Sequence, residues 1–275
     1  MNIAVDILDK MSELFKYKNW EIESDAAKWS SLFNRFSSRL SLFDKEKQEF
    51  LIELSYRFKN IGINDYAQYF TEAVNNVPNI KEYKRIIVAP LKKPSTKETK
   101  SADNIWYHLK NNIDFNYEWF NNNLQWISNW DKIRQKLNEN CILLLVDDFT
   151  GTGDTAIEAL DELYETKQLD STDNVCVITF MGQRIGIENF SVKYPNMMSC
   201  SEILDREISD HYAGEEKKKY LLLMEEMESK IKVDPKFNFG WGKSESLVAL
   251  NNRSVNNTFP VFWLEKKSKY APFKR

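Results

Sequence analysis

The chain has 275 residues, of which 42% are hydrophobic and 29% charged, with a formal net charge of −3. That length accommodates one large domain or two small ones, and the balance excludes a disordered chain. The net negative charge argues against wholesale nucleic-acid wrapping and leaves only a local basic patch for such contacts.

The segment MNIAVDILDKMSELF at the start carries acids inside its apolar stretch and does not read as a secretory signal. No apolar run reaches the roughly 18 residues that cross a bilayer. The three cysteines, Cys141, Cys176 and Cys200, form no CxxC. They read as reduced core residues, so the expected setting is cytoplasmic and away from membranes. Residues 1–80 read as helical. Trp29, Phe33 and Phe36 recur at helical spacing in DAAKWSSLFNRFSSRL, and Phe50, Leu51, Leu54 and Phe58 do so behind an Asp44 N-cap. A third helix is expected in NDYAQYFTEAVNNV, ended by Pro78. This region reads as an N-terminal helical part for packing or for binding a protein partner, and residues 81–275 as the main domain.

Beyond it the character changes. RIIVAP, from Arg85, is a short apolar run closed by proline, as in a buried strand. The polar loop LKKPSTKETKSAD follows, then a helix from about Asn104 and an aromatic stretch, 113–138, that reads as helical. A strand is expected at 141–147 with a helix from about 154, then strands at NVCVITF and at 197–203, a charged helix at about 215–230, and two β-like pieces around a polar turn near the end. Alternating strands and helices are the pattern of a parallel sheet wrapped by helices, so the fold class is α/β.

The most specific stretch is LLLVDDFTGTGDT. In an open α/β sheet ligands sit at the carboxyl ends of strands, and Asp147 and Asp148 stand at such an end. The loop that follows has Gly151 and Gly153, whose backbone N–H groups approach an anion closely. The next helix adds its own unpaired N–H groups and partial positive charge. Two subsites follow: one for a phosphate, and one beside the carboxylates for hydroxyl donors or a metal ion. A Walker A loop does not fit. GKS occurs at 242–244, but the first required glycine falls on Phe237. GxGxxG/A is met formally by Gly151, Gly153 and Ala156, yet Asp-Asp-Phe-Thr separates the strand from the glycines, and its carboxylates would repel a pyrophosphate. A structural role, with the acids capping a turn, stays open.

LLLVDDFTGTGDT resembles the PRPP-binding motif of type I phosphoribosyltransferases: four apolar residues, two acids, an apolar residue and a Thr/Gly loop closing on threonine. Only Asp154 departs, where that family has a small residue. The resemblance implies that Asp147 and Asp148 hold the ribose 2′- and 3′-hydroxyls at the catalytic centre. It also implies that Thr150, Gly151, Thr152, Gly153, Asp154 and Thr155 line the 5′-phosphate. It places a pyrophosphate loop after RIIVAP, where Lys92, Lys93, Lys97 and Lys100 lie and where Lys100 and Ser101 match the loop's end; a solvated basic loop is the alternative. Mg2+ is expected with the ligand rather than in a protein cage. The family's catalytic loop has no counterpart in the aromatic interval before the motif.

The N-terminal helices and the tail, with its NNTFPVFW, are similar to phosphoribosyltransferase-like proteins with a C-terminal extension encoded in bacterial conflict and anti-phage loci, some with retrons. That likeness implies a pentosyl-transfer or cleavage enzyme acting in antiviral defence, with partners among neighbouring defence proteins. A catalytically inactive sensor of PRPP or a nucleotide is the alternative. Asn256, Asn257 and Thr258 are candidates for an acceptor pocket. The favoured reading is a polar turn before an edge strand, fixed by Pro260 and anchored by Phe262 and Trp263. His211, in EISDHYAG, reads as a surface or capping residue.

Overall fold

The computed structural model describes residues 3–20, 31–92, 101–112, 123–265 and 270–275. In chain order its elements are α1 (Val5–Tyr17), α2 (Leu32–Leu40), α3 (Lys45–Arg57), β1 (Lys59–Ile61), α4 (Tyr66–Asn75), β2 (Arg85–Pro90), α5 (Ser101–Asn112) and β3 (Leu124–Trp126). Then come β4 (Cys141–Thr150), α6 (Asp154–Glu165), β5 (Asn174–Gln183), α7 (Arg184–Lys193), β6 (Met198–Leu204), α8 (Gly214–Lys230), β7 (Val248–Leu250) and β8 (Arg253–Ser254). No helix among the described residues is long and apolar enough to cross a membrane.

The chain divides into two compact units, Ile63–Leu204 and a second made of Met1–Gly62 with Asp205–Arg275. The sequence suggested a boundary near residue 80, but α4 belongs with the sheet. It lies against β5 and β6, buries Phe70, Ala73 and Val74, and receives a 2.6 Å hydrogen bond from Ser199 Oγ at the Ala73 carbonyl.

The unit Ile63–Leu204 is an α/β layer structure. Its five strands run parallel in the order β3-β2-β4-β5-β6. Strands β4 and β5 are apolar almost throughout because helices cover both faces. On one face Leu143, Leu145 and Val177 meet Ala159, Leu160 and Leu163 of α6 and Phe190 of α7. On the other, the Tyr66 ring of α4 lies 5.1 Å from Phe180, edge to face, and Trp106 Nε1 of α5 donates to the Val88 carbonyl at 3.1 Å. The chain runs outward from β2 to β3, then returns to the far side of β2 as β4. The strand order therefore reverses between β2 and β4, where doubly wound sheets bind ligands.

Two expectations need correction. The aromatic interval 113–138 is not a continuous helix where it is described. Leu124–Trp126 is an edge strand in register with Ile86–Val88, and residues 130–132 form a single 3-10 turn. Three residues of strand are too short to show a period, and the sheet edge supplies their hydrogen bonds. The motif strand also does not stop at Asp147; it continues in register with β5 to Thr150. Residues 113–122 lie outside the described residues, as does Trp29.

The second unit has an aromatic core. Phe15, Phe36, Phe58, Phe262 and Phe273 are buried together, and the Phe58 and Phe273 rings stack at 4.3 Å. The Asp44 cap is present, its carboxylate accepting from Lys47 N at 3.2 Å. The tail's polar turn is a hairpin joining antiparallel β7 and β8 through Asn251 and Asn252, with φ of 49° and 62°. Two adjacent left-handed residues are what a tight hairpin requires, and asparagine tolerates that region. β1 adds to β7 in parallel, so the tail is built into the N-terminal helical part.

Candidate functional site

Asp147 and Asp148 lie near the carboxyl end of β4, beside the strand-order reversal. Asp147 is partly exposed and Asp148 buried. Asp148 N donates to Asp147 Oδ1 at 3.0 Å. Burial pushes Asp148 up from 3.8 to about 6, against the opposing pull of its hydrogen bonds to Asp147 and Tyr66. The inner acid is therefore readily protonated.

Tyr66, the first residue of α4, hydrogen-bonds Asp148 through its hydroxyl. Its burial, then the two neighbouring carboxylates, raise its pKa well above the ordinary value for a phenol. The Tyr66 ring also meets His108 of α5 edge to face at 6.2 Å. Sequence reasoning missed this residue because α4 read as packing only; a tyrosine at a helix start carries no chemical signal until tertiary structure brings it to an acid.

The loop closes tightly. Gly153 has φ 86°, a left-handed conformation that glycine adopts without strain, and it forms the N-cap of α6. The first helical bond runs from Ile157 N to Gly153 O at 3.0 Å, leaving the earlier N–H groups of the helix without intrahelical partners. The other side of the loop rests on α7. A Cβ on Gly186 would stand 2.8 Å from the Gly151 carbonyl carbon and collide with its oxygen, and a Cβ on Gly153 would stand 2.5 Å from Gly186 O. Asn189 Nδ2 donates to the Thr152 carbonyl at 3.3 Å. Gly186 thus sets the height of the loop, and a lone glycine in RIGIE gave no hint of it.

Asp154, the one departure from the motif, is the first residue of α6 and is exposed. Its Oδ2 accepts from Thr152 Oγ1 at 2.6 Å. The carboxylate is turned onto the loop's own threonine, near the helix N-terminus that favours negative charge.

Other sequence candidates fall elsewhere. Lys92 is bound to Asp103 at 3.0 Å and donates to the Ser128 carbonyl at 3.0 Å. Lys93, Lys97 and Lys100 lie outside the described residues; Ser101 opens α5. Asn257 and Thr258 are spent within the second unit. Asn257 Nδ2 donates to the Trp241 carbonyl at 3.1 Å, and Thr258 Oγ1 donates to the Val248 carbonyl at 2.6 Å. The Asn256 carbonyl accepts from Trp241 N at 2.8 Å. Gly240, at φ 79°, fits so closely that a Cβ would come within 2.6 Å of the Asn257 carbonyl carbon. After Asn257 and Thr258 the chain makes a 3-10 turn at Pro260–Phe262, with no edge strand. His211 is a surface residue, 3.4 Å from Glu207.

Gln183, at the end of β5, is 1% exposed and neither amide atom has a protein partner. Its neighbour Gly182 stands opposite Thr150, so this unpaired amide lies one residue along from the loop's register.

Comparison with curated proteins finds no match. The family model for PRTase-CE matches residues 34–275, from α2 through the acid pair and its loop to the end of the tail. The chain belongs to the PRTase-CE family, the phosphoribosyltransferase-like proteins with a C-terminal extension.

Proposed function

We propose that the crevice beside β4 binds PRPP through its ribose 5-phosphate half and supports displacement of pyrophosphate at the anomeric carbon. The observation that carries this reading is the acid pair at the strand-order reversal, followed at once by a glycine loop and a helix N-terminus. Ionised carboxylates accept hydrogen bonds from the two ribose hydroxyls. The loop and the first turn of α6 offer N–H donors to the phosphate.

In the proposed reaction the C1–O bond to the diphosphate breaks and its electron pair leaves with the diphosphate. An acceptor nitrogen, or water in a cleavage reaction, forms the new bond to C1 and releases its proton to solvent. The chain's part is to hold both ends of the ribose phosphate so that C1 meets the acceptor in line, which is where the rate gain lies. Among the described residues no cluster of three or more His, Cys, Asp or Glu is placed to hold a metal by itself. Two carboxylates beside a diphosphate form the mixed oxygen set that Mg2+ accepts, with most ligands from substrate and water. When bound, Mg2+ supplies neutralisation of the departing diphosphate.

Calorimetry with PRPP and Mg2+ tests the reading on the wild type and on a protein carrying Asp147→Asn and Asp148→Ala. Loss of binding in the double variant is expected; unchanged affinity sinks the proposal. The Tyr66 hydrogen bond to Asp148 favours a second reading, a ligand sensor, because that tyrosine occupies hydrogen-bonding capacity the ribose needs. PRPP binding without pyrophosphate release from any acceptor tried selects the sensor. We place either activity in antiviral defence with a protein partner, on the strength of the family likeness. Phage plating on cells carrying the wild type or the double variant tests that setting: no protection by the wild type removes it, and equal protection by both separates the acid pair from it.

A further inference from the structure

We propose that the second unit carries an anion site of its own, built on the β7–β8 hairpin, for a phosphorylated small molecule of nucleotide size. A cavity of about 460 Å³ lies there, within the range of small-molecule pockets. Its lining includes Arg35, Arg253, Lys274 and Arg275 and no Asp or Glu side chain, in a chain whose net charge is −3.

The cations are held in place by the fold. Arg253 and Lys274 are bridge partners, fastened by Ser254 N donating to the Lys274 carbonyl at 2.7 Å. Like charges side by side repel, and among the described residues neither has an ion-pair partner. An anion between them removes that repulsion. The Arg275 guanidinium lies 5.1 Å from the Phe237 ring and 5.2 Å from the Trp263 ring, which fixes its position at modest cost. Arg35 is anchored by the Ala271 carbonyl at 2.6 Å and neutralised by Glu265 at 2.6 Å. Arg253, Lys274 and Arg275 thus bring three cationic residues to a lining that holds no Asp or Glu, a composition suited to a polyphosphate chain.

Leu32 and Pro272 add apolar wall, suited to the sugar or base of a nucleotide. At the rim Asn251 and Asn252 form the tight turn, and Asn60 Nδ2 donates to Asn252 Oδ1 at 3.0 Å. Every lining residue belongs to the second unit, so the proposal stands apart from the reading of the acid pair.

The test titrates the full chain with inorganic tripolyphosphate and with ATP by calorimetry, in parallel on wild type and on Arg253→Gln/Lys274→Gln. Saturable binding, weakened at least about tenfold in the double variant, is expected, since one lost charged contact is worth about that factor. Tighter binding of ATP than of tripolyphosphate marks a nucleotide; equal binding marks the inorganic chain. Arg275→Ala repeats the test should the double variant fail to fold, with weaker binding expected again. Absence of saturation with both probes, or affinity unchanged in the folded variants, overturns the proposal. PRPP is titrated into the same variants, and its affinity is expected to stay at the wild-type value, so the two sites succeed or fail separately.

Discussion

Replacing Gly186 by alanine asks whether loop height governs phosphate binding. The added Cβ would stand 2.8 Å from the Gly151 carbonyl carbon and 3.2 Å from Gly153 N, and closer still to the Gly151 oxygen. All three atoms are backbone, so no side chain can swing aside, and either the loop lifts or α7 retreats. Alanine itself favours a helix over glycine by about 1 kcal/mol, which offsets part of the overpacking cost of about 1–3 kcal/mol. Net destabilisation of about 0–2 kcal/mol is expected. The effect on binding is larger, because a misplacement of about 1 Å in a positioned group can cost about a hundredfold. Calorimetry with ribose 5-phosphate measures the affinity and thermal unfolding the stability. Affinity falling at least tenfold more than stability predicts supports the account. A Gly186→Ala protein that binds ribose 5-phosphate as the wild type does refutes the claim that the Gly151–Gly153 loop cradles the phosphate.

Asp148 is expected to titrate near 6 when its carboxyl carbon is followed by NMR, and Tyr66→Phe should raise that midpoint further, because the lost hydrogen bond stabilises the charged form. The sign for stability follows: a carboxyl whose pKa is raised in the folded state contributes stability at low pH and loses it as pH climbs from 3.8 through about 6. Asp154→Asn should tighten phosphate binding a few-fold by removing a charge near the loop, while lowering the melting temperature slightly through loss of a favourable helix N-terminal acid; weaker binding would mean the carboxylate serves the ligand. Glu228 of α8 is buried, with one oxygen accepting from Phe239 N at 2.9 Å and the other unpaired. Burial pushes it up to about 8, so its contribution to stability is lost as pH rises through about 8. Glu228→Gln, measured by denaturant unfolding between about pH 6 and pH 9, should flatten that loss; an unaltered pH profile would show that Glu228 does not cause it.

The parts of the site that were readable in the sequence are contiguous. LLLVDDFTGTGDT carries its strand, acids, loop and helix start within one short run, so local rules suffice, and Asp44 is legible for the same reason. What stayed hidden depends on residues distant in the chain. Tyr66 meets Asp148 only because α4 crosses the sheet, and Gly186 matters only because α7 lies under the loop. Leu124–Trp126 becomes a strand because β2 offers an edge, while its aromatic neighbourhood suggests a helix. For the tail's Asn257 and Thr258 the sequence left an acceptor pocket and a polar turn open; their partners in the fold are Trp241 and Val248.

The central claim is that a ribose 5-phosphate lies with its hydroxyls on the acid pair and its phosphate on the loop. A crystal structure with PRPP and Mg2+ tests it most directly. The account predicts ribose hydroxyl oxygens within hydrogen-bond distance of Asp147 and Asp148, the 5′-phosphate at the N–H groups of residues 151–155, and the Tyr66 hydroxyl displaced from Asp148 or sharing it. A ligand bound away from β4, or in this crevice with its phosphate on the carboxylate side, would contradict it.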